Sequence, residues 1–188
     1  MTTRQPGALS ISGLCVISLA ALTACASPGK RGGAPEENYF DCDVPAASFS
    51  EWNRTTSMTT LKVVGTIQLI QTRQDERWLP GANVFLRGRD DKTSAGLQLV
   101  VTRDEPDKLR VALLQGSGGA PDRIVFTSKA WKDAPLPFSL ELDAQGLLTA
   151  VVAGVSSSRQ VSGFEPHKLA LGCSTGQFKF EKVFLTGR

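Results

Sequence analysis

Apolar residues recur at every second position along most of this chain beyond residue 60. Leu61, Val63, Gly65, Ile67 and Leu69 fall on one side of an extended segment, and Leu97, Leu99 and Val101 repeat the pattern. Leu109, Val111 and Leu113 follow, and Phe138, Leu140 and Leu142 alternate with Ser139, Glu141 and Asp143. Shorter runs occur at Val84/Leu86, Ile124/Phe126, Leu147–Ala153, Leu169–Cys173 and Phe178/Phe180. Successive side chains of a strand point to opposite faces, so this period buries one face and wets the other. Turn-forming residues separate the runs at Arg89–Thr93, Asp104–Asp107, Gly116–Pro121, Ala144–Gly146 and Ser174–Gly176. No segment after residue 40 sustains the i, i+3, i+4 spacing of a long helix. The pattern predicts roughly ten short strands over residues 40–188, hence an all-β antiparallel two-sheet sandwich or a barrel.

The composition permits such a core and removes several functions. Hydrophobic residues make up 41% of the 188 and charged residues 21%, which is globular rather than disordered. The net charge is +3 with no basic block, so binding of nucleic acid through phosphate neutralisation is not expected. A single His and four Cys leave little for a His-based metal site or a His-dependent triad.

The first residues have a different character. Residues 1–8 are polar with one cation, Arg4, and an apolar run from Leu9 to Leu22 follows, interrupted by Ser and Gly. A charged start, a run of about 7–15 apolar residues and a small-residue end make a secretory signal, and the run is too short for a membrane span of about 20 residues. Its end, Leu22-Thr23-Ala24-Cys25, resembles the lipobox of bacterial lipoproteins. The resemblance implies cleavage before Cys25, diacylation of its thiol and acylation of the new amine, with palmitate-type chains. More than one buried chain makes anchoring effectively permanent. The alternative is an ordinary secretory cut after Ala26. Ala26 rather than Asp after the lipidated Cys implies transfer to the outer membrane in Gram-negative lipoproteins. Residues 1–24 are thus assigned to the signal peptide. Residues 25–39 are assigned to the lipidated Cys and a Gly-, Pro- and charge-rich tether that cannot build a core.

Cys15 leaves with the signal and Cys25 carries lipid, so Cys42 and Cys173 remain in the domain. In an oxidising compartment they are read as one disulfide between the first strand and the penultimate one, the alternative being two separate buried thiols.

Pro137–Leu142, a turn at Gln145-Gly146 and Leu147–Gly154 resemble the strand, turn, strand-ending-in-Gly hairpin of concanavalin A-like (laminin G-like) jelly rolls. The closing stretch Leu169–Leu185 is similar to the final strand pair of those domains. The resemblance implies a two-sheet jelly roll with adjacent terminal strands. Its members include lectins, glucanases and adhesion modules, so fold alone does not give function.

Each motif suggestive of chemistry lacks its context. Gly172–Gly176 matches a G-x-S-x-G elbow around Ser174, but a strand pattern follows and His167 precedes. Glu141 and Asp143 put two carboxylates on one strand face, yet Gln145 or Gly146 stands where a glucanase strand needs its second Glu. Asp90-Asp91 and Asp104–Asp107 are acidic loops with cations beside them, read as solvated turns rather than calcium sites. Gly116–Gly119 precedes no helix, so it makes no phosphate cradle. No catalytic residue, cofactor or metal is assigned. The ligand-binding candidates are Trp78, Trp52 and Trp131, because sugar rings stack on indoles. Trp78 leads, since polar Arg73–Arg77 and Pro80-Gly81 put it on a loop.

These readings converge on a lipid-anchored outer-membrane protein facing the periplasm, with a non-catalytic domain for a glycan or envelope polymer. A structural or assembly lipoprotein holding a protein partner is the alternative, and a glycosidase-like enzyme the third class.

Overall fold

The computed structural model describes residues 36–117, 120–132 and 134–188. The signal segment, Cys25, most of the tether and Gly118-Gly119 lie outside the described residues. Ten strands are present: β1 Glu37–Thr55, β2 Leu61–Thr72, β3 Gly81–Arg87, β4 Thr93–Val100, β5 Lys108–Ser117, β6 Asp122–Ala130, β7 Leu136–Leu142, β8 Leu147–Val152, β9 Val155–Gln160 and β10 Lys168–Gly187. All pairings are antiparallel. The described residues contain no helix.

The hydrogen-bonded order is β6-β5-β4-β3-β10-β2-β7-β8-β9, with β1 along the other side of β10. β10 belongs to both layers of the molecule. Its Lys168–Ser174 half pairs with β3, and Gly176–Gly187 pairs with β2. The path therefore folds at β10, bringing β8 against β4 and β9 against β5 and β6. The product is an all-β two-layer sandwich of the jelly-roll kind.

The buried face is the one the alternation marks. Leu61, Val63, Ile67 and Leu69 of β2, Leu97 and Leu99 of β4, Leu109 and Val111 of β5, and Leu140 and Leu142 of β7 all enter the core. Fully burying each such side chain contributes about 1.5–3 kcal/mol.

Three features differ from the sequence reading. Ser174–Gly176 is not a turn between two strands but a bend inside one. Thr175 takes a left-handed φ of 51°, and a Cβ on Gly176 would lie 2.6 Å from the Gln71 carbonyl oxygen. The ladder with β1 spans the bend, so the chain kinks without leaving the sheet. Cys173 consequently belongs to the last strand, not the penultimate one. Second, β1 carries no clear alternation, yet it is one of the two longest strands. It begins at Glu37, inside the segment that composition assigns to the tether, and the Asn38 side-chain amide donates to the Val183 carbonyl at 3.0 Å. Its register breaks between Val44 and Phe49, where Pro45 has no N–H to offer the ladder. Third, Asp143 lies past the end of β7 rather than beside Glu141 on its face.

Cys42 and Cys173 are bonded, with Cα atoms 6.0 Å apart. Cys42 lies opposite Phe178, beyond the bend, and Cys173 lies opposite Ser50, before it. The bond thus joins the β1 strand of one layer to the β10 strand of the other where the sheet folds. At the opposite side, Arg159 of β9 pairs with the Asp122 carboxylate of β6 and donates to its carbonyl at 3.1 Å, holding the two free edges together.

Candidate functional site

The segment between β2 and β3, residues 73–80, crosses from one layer to the other beside the β10 bend and carries Trp78. Its anchors are polar. Arg73 pairs with Asp43 at 2.6 Å, and its backbone N–H donates to the Thr175 carbonyl at 3.1 Å. Asp75 Oδ1 accepts from the backbone N–H groups of Arg77 and Trp78, both at 2.8 Å. Those two bonds hold the Asp75 carboxyl below its ordinary range, with the Arg77 and Arg103 charges adding to the effect. Arg103, from the connection between β4 and β5, donates to the carbonyls of Asp75 (3.1 Å) and Glu76. Ser174 Oγ donates to the Leu79 carbonyl at 3.0 Å. The backbone is thus pinned on both sides of an indole that is 43% exposed.

Trp78 and Leu79 stand between two hollows. One, of about 580 Å³, lies between this segment and Val101–Arg103. The other, of about 310 Å³, opens on the outer face of β3 and β4. Alternation supplies its floor: Asn83 sits between buried Ala82 and Val84, and Gln98 between buried Leu97 and Leu99. The two amides are direct cross-strand partners. Arg123 of β6 reaches over β5 and donates to Gln98 Oε1 at 2.7 Å. Asn83 Oδ1 is buried without a hydrogen-bond partner in the protein. An indole face beside amide and guanidinium groups can stack on the C–H face of a sugar ring and bond its hydroxyls.

The other two tryptophans serve the core. Trp52 is half-buried against it, on the side of β1 that faces inward. Trp131 also packs on the core, its Nε1–H donating to the Pro106 carbonyl at 3.0 Å, with the Lys132 ammonium 5.5 Å from the ring centre. The three candidates therefore do not form one platform, and Trp78 alone presents an exposed ring. Asn83, Gln98 and Arg123 were not singled out by sequence. Polar residues opposite core positions read as ordinary solvent-facing strand, and their convergence arises only from pairing.

Groups of the types that carry chemistry are separated or engaged. Glu141 points outward and pairs with Lys62 at 3.1 Å. Asp143 Oδ1 accepts from the N–H groups of Gln145 (2.9 Å) and Leu147 (2.8 Å), closing the β7–β8 turn. Ser174 lies within a strand, and no helix follows it. The His167 backbone ties Arg87 to Thr56, and its side chain lines a hollow of about 750 Å³ that shares no residue with the two beside Trp78. Asp90 Oδ1 caps its own turn at Lys92 and Thr93, and the Thr93 N–H bond leads in holding its carboxyl below the ordinary range. Glu105 faces Lys108 at 3.0 Å and Arg110 at 3.3 Å, and these cations lower its pKa, the Lys108 bond most. Among the described residues no group of three or more His, Cys, Asp or Glu is arranged to hold a metal ion.

No protein-family model matches the chain, and no curated protein matches it in sequence. Solved structures do resemble it. An alginate lyase from Pseudomonas aeruginosa superposes with a TM-score of 0.53 at 13% identity, over 70% of this chain and 66% of the lyase, so the chain spans just under two thirds of that enzyme. A carbohydrate-binding module from Bacillus subtilis gives 0.52 at 12% identity, over 80% of this chain and 92% of the module. The carbohydrate recognition domain of Emp46p in its potassium-bound form gives 0.52 at 13% identity, over 80% and 89%. At such identities the likeness is one of architecture, and it agrees with an all-β jelly-roll sandwich.

Proposed function

We propose that this chain is an outer-membrane lipoprotein whose jelly-roll domain faces the periplasm and binds a glycan or envelope polymer without cleaving it. The observation that carries the binding reading is Trp78, exposed on a pinned loop at the edge of an amide-floored hollow. Neighbours of the same architecture are named as carbohydrate-binding and recognition domains, which supports the reading; the lyase among them keeps an enzymatic one in play. The non-enzymatic reading rests on Glu141, Asp143, Ser174 and His167 being engaged or apart. Carboxylate-pair catalysis needs two groups across the substrate, one with a raised pKa.

Binding is tested by Trp78→Ala. Loss of one stacked aromatic contact is expected to weaken retention by a glycan matrix by about 1–3 kcal/mol, roughly 5- to 150-fold, with the thermal midpoint nearly unchanged. Equal retention of variant and parent would remove the aromatic platform from the account. New reducing ends released from the polymer, and lost in Glu141→Gln, would make the protein an enzyme.

The anchor rests on Leu22-Thr23-Ala24-Cys25. Cys25→Ser is expected to abolish acyl incorporation and release the protein into the soluble fraction. Membrane association unchanged in that variant, with no acylated N-terminal peptide by mass spectrometry, would contradict the lipoprotein reading.

One observation favours a protein partner instead. Ile124 and Val125 are 39% and 50% exposed on the edge strand β6, where an added strand could cover them. Ile124→Lys would then abolish capture of that partner while sparing glycan retention.

A further inference from the structure

We infer that the saccharide held beside Trp78 carries carboxylates, as a uronate-bearing polymer does. The inference rests on the glycan reading and specifies its ligand class. The hollow of about 310 Å³ on β3 and β4 is lined by two arginines, Arg77 and Arg123, and by no acidic residue.

Half of the ten arginines among the described residues are neutralised locally. Arg54, Arg73, Arg87, Arg110 and Arg159 each have a carboxylate within ion-pair distance. Among the described residues Arg77, Arg89, Arg103, Arg123 and Arg188 have none, and of these Arg77 and Arg123 line the hollow on β3 and β4. The acids adjacent to them in sequence, Glu76 and Asp122, form no ion pair with them. Asp122 pairs with Arg159 across the sandwich edge. Asp75 turns its Oδ1 to the backbone N–H groups of Arg77 and Trp78, and feels the Arg77 charge without forming an ion pair with it. Arg123 is oriented by Gln98 Oε1, a neutral acceptor that leaves the charge uncompensated.

A neutral sugar requires only the amides of Asn83 and Gln98 and an apolar ring to lie on. The hydroxyls of a neutral sugar can accept from the two guanidiniums but leave both charges uncompensated as they lose water. A carboxylate matches the planar guanidinium fork in charge and in geometry. The stereochemistry is compatible. The carboxylate of a hexuronate projects from C5 at the ring edge, so a ring stacked on the Trp78 indole directs it sideways, toward groups beside the platform rather than into it. Trp78, Arg77 and Arg123 line the same hollow, which is the placement that geometry demands.

The test uses the full mature chain in detergent micelles, by affinity electrophoresis and calorimetry. The panel is polygalacturonate, alginate and hyaluronate, with fully methyl-esterified pectin, xylan and dextran as neutral polymers and dextran sulfate as a generic polyanion. A uronate polymer is expected to bind, with the neutral polymers bound at least tenfold more weakly. Arg77→Gln and Arg123→Gln should each weaken uronate binding about fivefold and flatten its salt dependence. Trp78→Ala should weaken it too. Neutral polymers bound as well as uronates, with Trp78→Ala disruptive and both Arg variants silent, would overturn the acidic ligand and leave the glycan reading intact. Dextran sulfate bound as tightly as any uronate and insensitive to Trp78→Ala would overturn the inference in favour of a generic basic surface. Failure to bind any polymer would overturn both.

Discussion

Removing the Cys42–Cys173 bond is expected to lower the melting temperature of the domain by roughly 5–20 °C. The bond closes a loop of 131 residues, nearly the whole domain. Loss of a native disulfide costs about 2–5 kcal/mol, and a long loop belongs toward the upper part of that range in the chain-entropy account. Each kcal/mol shifts the midpoint by about 2–4 °C for a chain of this size. Its position adds a specific expectation. The bond joins β1 to β10 on opposite sides of the bend, so its loss frees the layers at the fold rather than fraying an edge. Both sulfurs are buried, Cys42 at 1% and Cys173 at 0% exposure, so reductant should act slowly without denaturant. The double variant Cys42→Ala/Cys173→Ala, followed by calorimetry, avoids that barrier. A midpoint within about 1 °C of the parent would mean that the sheet fold holds itself, against this account.

Phe180→Ala is expected to destabilise by about 3–5 kcal/mol, the range for emptying a buried aromatic site. Phe180 is fully buried in β10, opposite Phe40 of β1 and Ile67 of β2. Its ring stacks on Phe40 with centroids 5.8 Å apart. No terminus or loop adjoins it that could collapse into the space, since strands flank it on both sides. Lys179→Ala, one residue away on the outward face, should cost less than about 0.5 kcal/mol. Urea unfolding of the pair measures the contrast. Similar losses for both would mean that β10 is not the shared strand of the two layers.

The parts of this fold legible in sequence are those where one face is buried and the other wet. β2 and β7 have that asymmetry, and their buried residues are the alternating ones; β4 and β5 bury the alternating residues too, but Gly96, Ala112 and Leu114 are buried on the other face. β9 escaped because Val155–Gln160 is an edge strand rich in Ser, held by its ladder with β8 and by a Thr149–Ser158 hydroxyl bond of 2.9 Å. A first strand is expected at Cys42, but the extent of β1 escaped because its register shifts at Pro45–Ser48 and its partners lie more than a hundred residues away. The false turn at Ser174–Gly176 has the same origin. Turn-forming residues permit a bend, and only the neighbouring strands decide whether the chain reverses or continues. In the site, loop residues around Trp78 disclosed its exposure. The packing of Trp52 and Trp131 on the core was not legible, because it depends on the layers closing. Asn83, Gln98 and Arg123 come from three strands, β3, β4 and β6, and meet only through the cross-strand register.

The central claim is that a saccharide lies on Trp78 and the outer face of β3 and β4, and leaves uncut. Isotope-labelled protein titrated with the polymer it retains tests this most directly. The account predicts shifts concentrated at the Trp78 indole N–H, the side-chain amides of Asn83 and Gln98 and the Arg123 guanidinium, with the polymer recovered at its original length. Shifts centred instead on the hollow around His167 or the outer face of β7 and β8, or a shortened polymer, would contradict it.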